Sequence, residues 1–233
     1  MDRHRGRPVE LFATIGCSRH NVVVTVPTDD DRFGPVAPEV ITYYERFDEA
    51  GRLDTGAGRV ERERTRLLLR RLLPPPPATV LDVGGGAGAY AFWLAAAGYD
   101  THLSDPVPKH IDQATATADR IGASLGSIRL GHAGELSHED SSVDAVVALG
   151  PLYHLPEAED RSRVYAEVMR VLRPGGVVCA AAINRFTSLI NAFREALLTD
   201  ERFLAVVVGD ISTGRHRNTS GDAEFFTTAY VHR

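Results

Sequence analysis

The sequence predicts an α/β fold, an open, doubly wound and mostly parallel sheet with helices on both faces. Three observations predict it. From Thr79 onward, short apolar runs alternate with stretches of helical period. One of those runs, Val143–Leu149, is almost continuously apolar, as in strands covered on both faces. A glycine-rich turn, Gly84-Gly85-Gly86-Ala87-Gly88, joins the first run to the helical pattern that follows it.

Residues 1–35 have no helical period and read as a poorly ordered arm. Pro38 suits a first helical position, and Val40, Tyr43, Tyr44 and Phe47 then recur at helical spacing. Gly51 to Gly58 reads as a loop. Arg59–Leu73 reads as a second helix, its Arg and Glu side chains as a solvated face, ended by Pro74–Pro77. Together, residues 36–78 form a helical N-terminal segment. The sheet-forming part spans residues 79–183. Its strands are predicted at Thr79–Val83, Asp100–Ser104, Ser127–Leu130, Val143–Leu149 and Val177–Ile183. Helices run between them, with Ile111, Ala114, Ala118 and Ile121 on one face of the second and Val164, Val168 and Val171 on the last. Arg173-Pro174-Gly175-Gly176 is expected to break the chain between that last helix and the fifth strand. Residues 184–233 read as helices and loop, with Gly214–Gly221 a loop and an aromatic run, Phe225–Tyr230, after it.

Composition narrows the function classes. The chain has 233 residues, 43% hydrophobic and 24% charged, enough for one substantial core. No run of ~18 apolar residues is present, so no membrane partner is expected. The net charge of -5 lacks the basic footprint of nucleic-acid binding. Cys17 and Cys179 sit in no ligand cluster and no two histidines are spaced to share a helix face, so no metal site is expected, and a reducing, cytoplasmic setting is. Association into homo-oligomers is compatible with the sequence. Lys109, the only lysine, reflects a compositional bias toward arginine rather than a phosphate site.

The chemistry concentrates at Asp82-Val83-Gly84-Gly85-Gly86-Ala87-Gly88. Glycines at a strand-to-helix turn let backbone approach a ligand, and the helix start offers free N–H groups. Asp105 follows 17 residues after Gly88 at the end of the second strand, where a carboxylate can accept both hydroxyls of a ribose. The spacing Gly84-x-Gly86-x-x-Ala89 also fits a dinucleotide site. Asp82, however, stands where a pyrophosphate would be repelled and an ammonium group attracted. No Tyr-x-x-x-Lys pair is present either, which disfavours an NAD-dependent oxidoreductase.

Taken with Asp105, Gly131-His132-Ala133, Leu149-Gly150-Pro151-Leu152-Tyr153-His154-Leu155 and Val171-Leu172-Arg173-Pro174-Gly175-Gly176, this loop resembles the class I S-adenosylmethionine-dependent methyltransferases over roughly residues 38–190. The resemblance implies a Rossmann-like core, S-adenosyl-L-methionine as cofactor and a small-molecule methyl acceptor, with residues 36–78 as a lid. It also implies site residues. Gly84, Gly85, Gly86 and Gly88 approach the methionine half of the cofactor, supported by Asp82. Asp105 and Pro106 meet the ribose, His132 and Ala133 the adenine, and Leu149, Gly150 and Tyr153 the region of the transferring methyl. His154 is the candidate catalytic base, and Tyr43, Tyr44 and Tyr230 the candidate substrate residues. His110 follows Asp105 closely; a helix-surface position is expected, with a place in the same cleft as the alternative.

Two departures accompany the resemblance. His132 stands where the family carries an acid, and few residues remain after the fifth strand for the sheet's last strands. The alternative reading is therefore a non-catalytic S-adenosylmethionine-binding protein.

Overall fold

Thr79–Val83 (β1) is β-branched and apolar, and it occupies the centre of the sheet. In the computed structural model, which describes residues 38–46, 49–217 and 224–228, β1 pairs in parallel with Asp100–Asp105 (β2) and with Val143–Ala148 (β4). Ser127–Leu130 (β3) extends the sheet beyond β2 and Leu172–Ala180 (β5) beyond β4, giving the order β3-β2-β1-β4-β5. All of its pairs are parallel. Every strand therefore ends at one edge, and the order reverses between β1 and β4. That reversal opens a crevice at the carboxyl ends of the strands.

The strand period of two divides the side chains between two cores. Leu81 and Val83 of β1 join Val146 under Val164, Val168 and Val171 of Ala158–Val171 (α6). Val80 points the other way. With Ala145 and Val147 it packs against Leu69 and Leu73, at the end of Gly56–Leu72 (α3), and against Leu94 of Ala91–Ala96 (α4). A smaller cluster joins Leu103 to Ala91 and to Ala114 of Pro108–Ile121 (α5). Helices thus cover both faces, as the sequence predicts.

The N-terminal segment departs from its predicted loop. Pro38–Arg46 (α1) is followed by the helical turn Glu49–Arg52 (α2), and α3 already begins at Gly56. Leu53 is buried in the core beside Leu69, and the Arg52 guanidinium bonds both Glu61 oxygens, at 2.7 and 2.9 Å, and Glu49, at 2.8 Å. These contacts hold in helical form a stretch whose glycines predict a loop. Lys109 donates to the carbonyls of Tyr44 and Glu45, so the lone lysine ties the end of α1 to α5.

Two corrections concern the C-terminal half. Arg173-Pro174-Gly175-Gly176 does not separate helix from strand but forms a bulge inside β5: Val143 pairs with Leu172 and Ala145 with Val177. An edge strand tolerates a proline without an N–H, and Gly175 supplies the positive φ of 84° that the bulge requires. Arg173 pins the bulge to Asp144 at 2.6 Å. Further on, after Thr187–Arg194 (α7) and Glu201–Thr213 (α8), Arg215–Arg217 is a strand (β7) inside the predicted loop. It pairs antiparallel with Glu224–Thr228 (β8), which itself pairs in parallel with Ile183–Asn184 (β6). Backbone pairing with β8 overrides the polar composition of β7. The predicted arm, residues 1–35, and Tyr230 lie outside the described residues. No described helix is long and apolar enough to cross a membrane.

Leu81 is fully buried at the centre of the larger core. Leu81→Ala is expected to cost about 2–5 kcal/mol, measured as a lowered urea midpoint. A loss below about 1 kcal/mol would contradict this placement of the core.

Candidate functional site

The turn after β1 is shaped by what lies beneath it. A Cβ on Gly85 would stand 2.4 Å from the Leu103 side chain and 2.6 Å from the Asp82 carboxylate, so only glycine lets the backbone lie this close to β1 and β2. The Gly84 N–H donates to the Ser104 carbonyl at 2.7 Å, which continues the sheet ladder into the loop. One residue pair later, the Gly86 N–H donates to Asp105 Oδ2 at 2.8 Å. The glycine loop and the acid at the end of β2 are therefore bonded to each other.

Asp105 is buried and accepts two further bonds on its other oxygen. The Val107 N–H and His110 Nδ1 both lie 2.9 Å from Oδ1. His110 is 3% exposed, so the expected helix-surface position is wrong. Pro108 starts α5, and the first turn of that helix swings His110 back over the strand end. The closeness of His110 to Asp105 in sequence allows a place in the same cleft, and how sharply the chain turns through Pro106 and Val107 decides it.

Asp82 is also fully buried, and its Oδ2 has no hydrogen-bond partner among the described residues. Burial, reinforced by the negative Asp105, lifts its pKa to about 7, while a backbone N–H bond from Ala91 pulls the other way. The carboxyl is thus poised to ionise against a cation.

Across the cleft stand aromatic groups. Tyr44 Oη lies 2.8 Å from His154 Nε2 and also bonds Tyr153. The Tyr44 ring meets the rings of His110 and His154 edge-on, with centroids 5.3 and 5.4 Å apart, and Tyr43 meets Tyr44 at 5.1 Å. Burial drives His154 down to about 4, offset in part by Asp105, and pushes Tyr153 up to about 12. Tyr44 is raised further still, first by burial and then by Tyr153 and Glu49. Near neutral pH all three side chains are uncharged.

These groups line one cleft of about 1080 Å³. It gathers the predicted residues Asp82, Gly84, Gly85, Gly86 and Gly88 with Asp105 and Pro106. His132, Ala133, Leu149 and Gly150 join them, as do Tyr153, His154, Tyr43 and Tyr44. His132 Nε2 stands 3.7 Å from the exposed Glu135 carboxylate. Glu49 and Arg52 of α2 also reach the cleft, as do Glu61 and Arg62 of α3, so the face of α3 predicted to be solvated contributes in part to its wall. Their signal was hidden in a charge-rich helix where the wall-facing and solvent-facing residues have the same composition.

The crevice at the strand-order reversal, with a glycine turn bonded to a buried carboxylate, is the place where open α/β sheets bind their ligands. Residues 81–180 match the family model described as a methyltransferase domain. Over that stretch the chain is similar to class I S-adenosylmethionine-dependent methyltransferases. It is 37% identical over 97 residues to an uncharacterized methyltransferase of Mycobacterium tuberculosis, covering 42% of this chain and 36% of that protein. It is 35% identical over 106 residues to a ubiquinone biosynthesis O-methyltransferase of Methylocella silvestris, covering 46% and 40%. The matches thus span about two fifths of these relatives' lengths. Among solved structures, a protein from Pyrococcus horikoshii shares the fold with a TM-score of 0.58 at 21% identity, over 81% of this chain and 84% of that one. A SAM-dependent methyltransferase from Methanosarcina mazei aligns with a TM-score of 0.54 at 25% identity, over 70% and 77%.

Asp82 makes a testable contribution to stability. Folding raises its pKa from 3.8 to about 7, so between those values the folded chain keeps a proton that the unfolded chain has released. Stability therefore falls as pH rises through that window, by up to about 4 kcal/mol. Urea unfolding between pH 4.5 and 7.5 is expected to give a flatter profile for Asp82→Asn than for the wild type. Parallel profiles would contradict the buried, near-neutral carboxyl.

Proposed function

We propose that this chain is an S-adenosylmethionine-dependent methyltransferase acting on a small-molecule acceptor. The observation that carries the reading is the 2.8 Å bond from the Gly86 N–H to Asp105, which sets the glycine cradle and the ribose acid in one cleft. The donor and acceptor set fits the cofactor. Asp82 offers a buried, unpartnered carboxylate oxygen to a cationic ligand, and the same carboxylate beneath Gly85 repels a pyrophosphate, which disfavours a dinucleotide. The free, buried thiol of Cys179 suits a reducing, cytoplasmic setting.

In this reading Gly84, Gly85, Gly86 and Gly88 admit the amino-acid half of the cofactor, with Asp82 ionising toward its ammonium group. Asp105 and Pro106 hold the ribose edge. His132 and Ala133 border the adenine, and Leu149, Gly150 and Tyr153 flank the reacting end. When bound, S-adenosylmethionine supplies a methyl group on a sulfonium whose leaving group is a neutral thioether. The protein's part is then chiefly to hold the acceptor's nucleophilic atom in line at ~3–3.5 Å. Tyr43 and Tyr44 form the acceptor side of the cleft. His154 stays neutral because burial disfavours its imidazolium, which keeps a repelling charge away from a sulfonium. Its imidazole and the Tyr44 hydroxyl, 2.8 Å from Nε2, orient the acceptor's nucleophilic group.

Isothermal titration calorimetry is expected to show binding of S-adenosylhomocysteine and none of NADH. The opposite pattern would overturn the reading. Affinity for S-adenosylhomocysteine should rise from pH 6 to pH 8 as Asp82 ionises, and Asp82→Asn should abolish that rise. Asp105→Ala should weaken binding by at least ~1–3 kcal/mol, the cost of unpaired hydroxyls. Methyl release in a broad acceptor screen then separates an enzyme from a non-catalytic binder.

A further inference from the structure

A carboxylate has about four lone-pair sites, two on each oxygen. At Asp105, Oδ1 already receives the Val107 N–H and His110 Nδ1, and Oδ2 receives the Gly86 N–H. One site on Oδ2 is left. A ribose presents two vicinal hydroxyls, so Asp105 has room for one of them and the other needs a second acceptor.

His110 has the required properties. Its Nδ1–H donates to Asp105, and in the neutral ring this fixes the tautomer in which Nε2 carries a lone pair. Nε2 is buried and has no hydrogen-bond partner among the described residues. A buried acceptor left unsatisfied is costly, and a ligand donor would recover that cost. The ring lines the cleft, sits beside Gly86, and is held edge-on against Tyr44. Carboxylate, imidazole and glycine turn therefore form one bonded unit on the cleft wall that carries an open acceptor.

We infer that His110 is a ligand-binding residue, accepting through Nε2 one of the two ribose hydroxyls of a nucleoside ligand while Asp105 accepts the other. This rests on the nucleoside reading of the cleft. It also makes the Asp105–His110 pair, rather than the acid alone, the element that selects ribose over deoxyribose.

The test is calorimetry with S-adenosylhomocysteine and its 2′-deoxy and 3′-deoxy analogues, on the wild type, His110→Phe and His110→Gln. The wild type should lose about tenfold or more in affinity for each analogue. His110→Phe, which keeps the ring but has no acceptor, should bind S-adenosylhomocysteine about tenfold more weakly. His110→Gln, which keeps a donor and an acceptor, should retain most of the affinity. If His110→Phe does not fold, the comparison of wild type with His110→Gln across the analogues decides, because a glutamine acceptor should preserve sensitivity to both hydroxyls. His110→Phe binding S-adenosylhomocysteine as the wild type does would overturn the inference and leave the nucleoside reading standing. A loss of affinity in His110→Gln as large as that in His110→Phe would likewise assign His110 a structural role only. A wild-type chain that binds no S-adenosylhomocysteine would overturn both.

Discussion

The carboxylate of Asp105 is the point on which the site depends. It stands at the end of a buried parallel strand, where water does not compete for it, and three N–H donors converge on its two oxygens. One belongs to the glycine turn after β1, one to the turn leading into α5, and one to a histidine on α5 itself. Hydrogen bonds to a charged acceptor contribute about 1.5–3 kcal/mol each, so this single side chain fixes two loops and a helix start relative to one another. The remaining walls of the cleft are arranged around that fixed point.

The two buried acids divide the electrostatic work. Asp105 is satisfied by donors, whereas Asp82, one strand away, has an oxygen without a partner among the described residues and a pKa lifted by burial and by Asp105 itself. An arrangement that is costly without a cation becomes favourable with one. On the opposite wall, burial holds His154, Tyr153 and Tyr44 uncharged, so the region assigned to the acceptor is polar without being ionic. Such a wall can orient a nucleophile while leaving the positive charge of a sulfonium unopposed.

Much of this was legible in the sequence, for physical reasons that can be traced to particular residues. A strand buried on both faces has to be continuously apolar, so Val143–Ala148 announces itself, and a turn with backbone packed against Leu103 and Asp82 has to be glycine, so Gly85 does too. What was not legible depends on tertiary geometry. Arg173-Pro174-Gly175-Gly176 has the composition of a break, yet an edge strand absorbs it as a bulge. Arg215–Arg217 looks like loop until β8 supplies a partner. His110 lies five residues past Asp105, and only the sharp entry into α5 brings the two side chains together.

Asp105 holds the glycine turn in place, and amide hydrogen exchange at Gly86 reads that hold. The Gly86 N–H is expected to be protected in the wild type, and Asp105→Ala to lose protection only at residues 84–88 and the start of α5, with the amides of β1 and β4 unchanged. A Gly86 amide that exchanges at the same slow rate in both proteins, or rapidly in both, would contradict it.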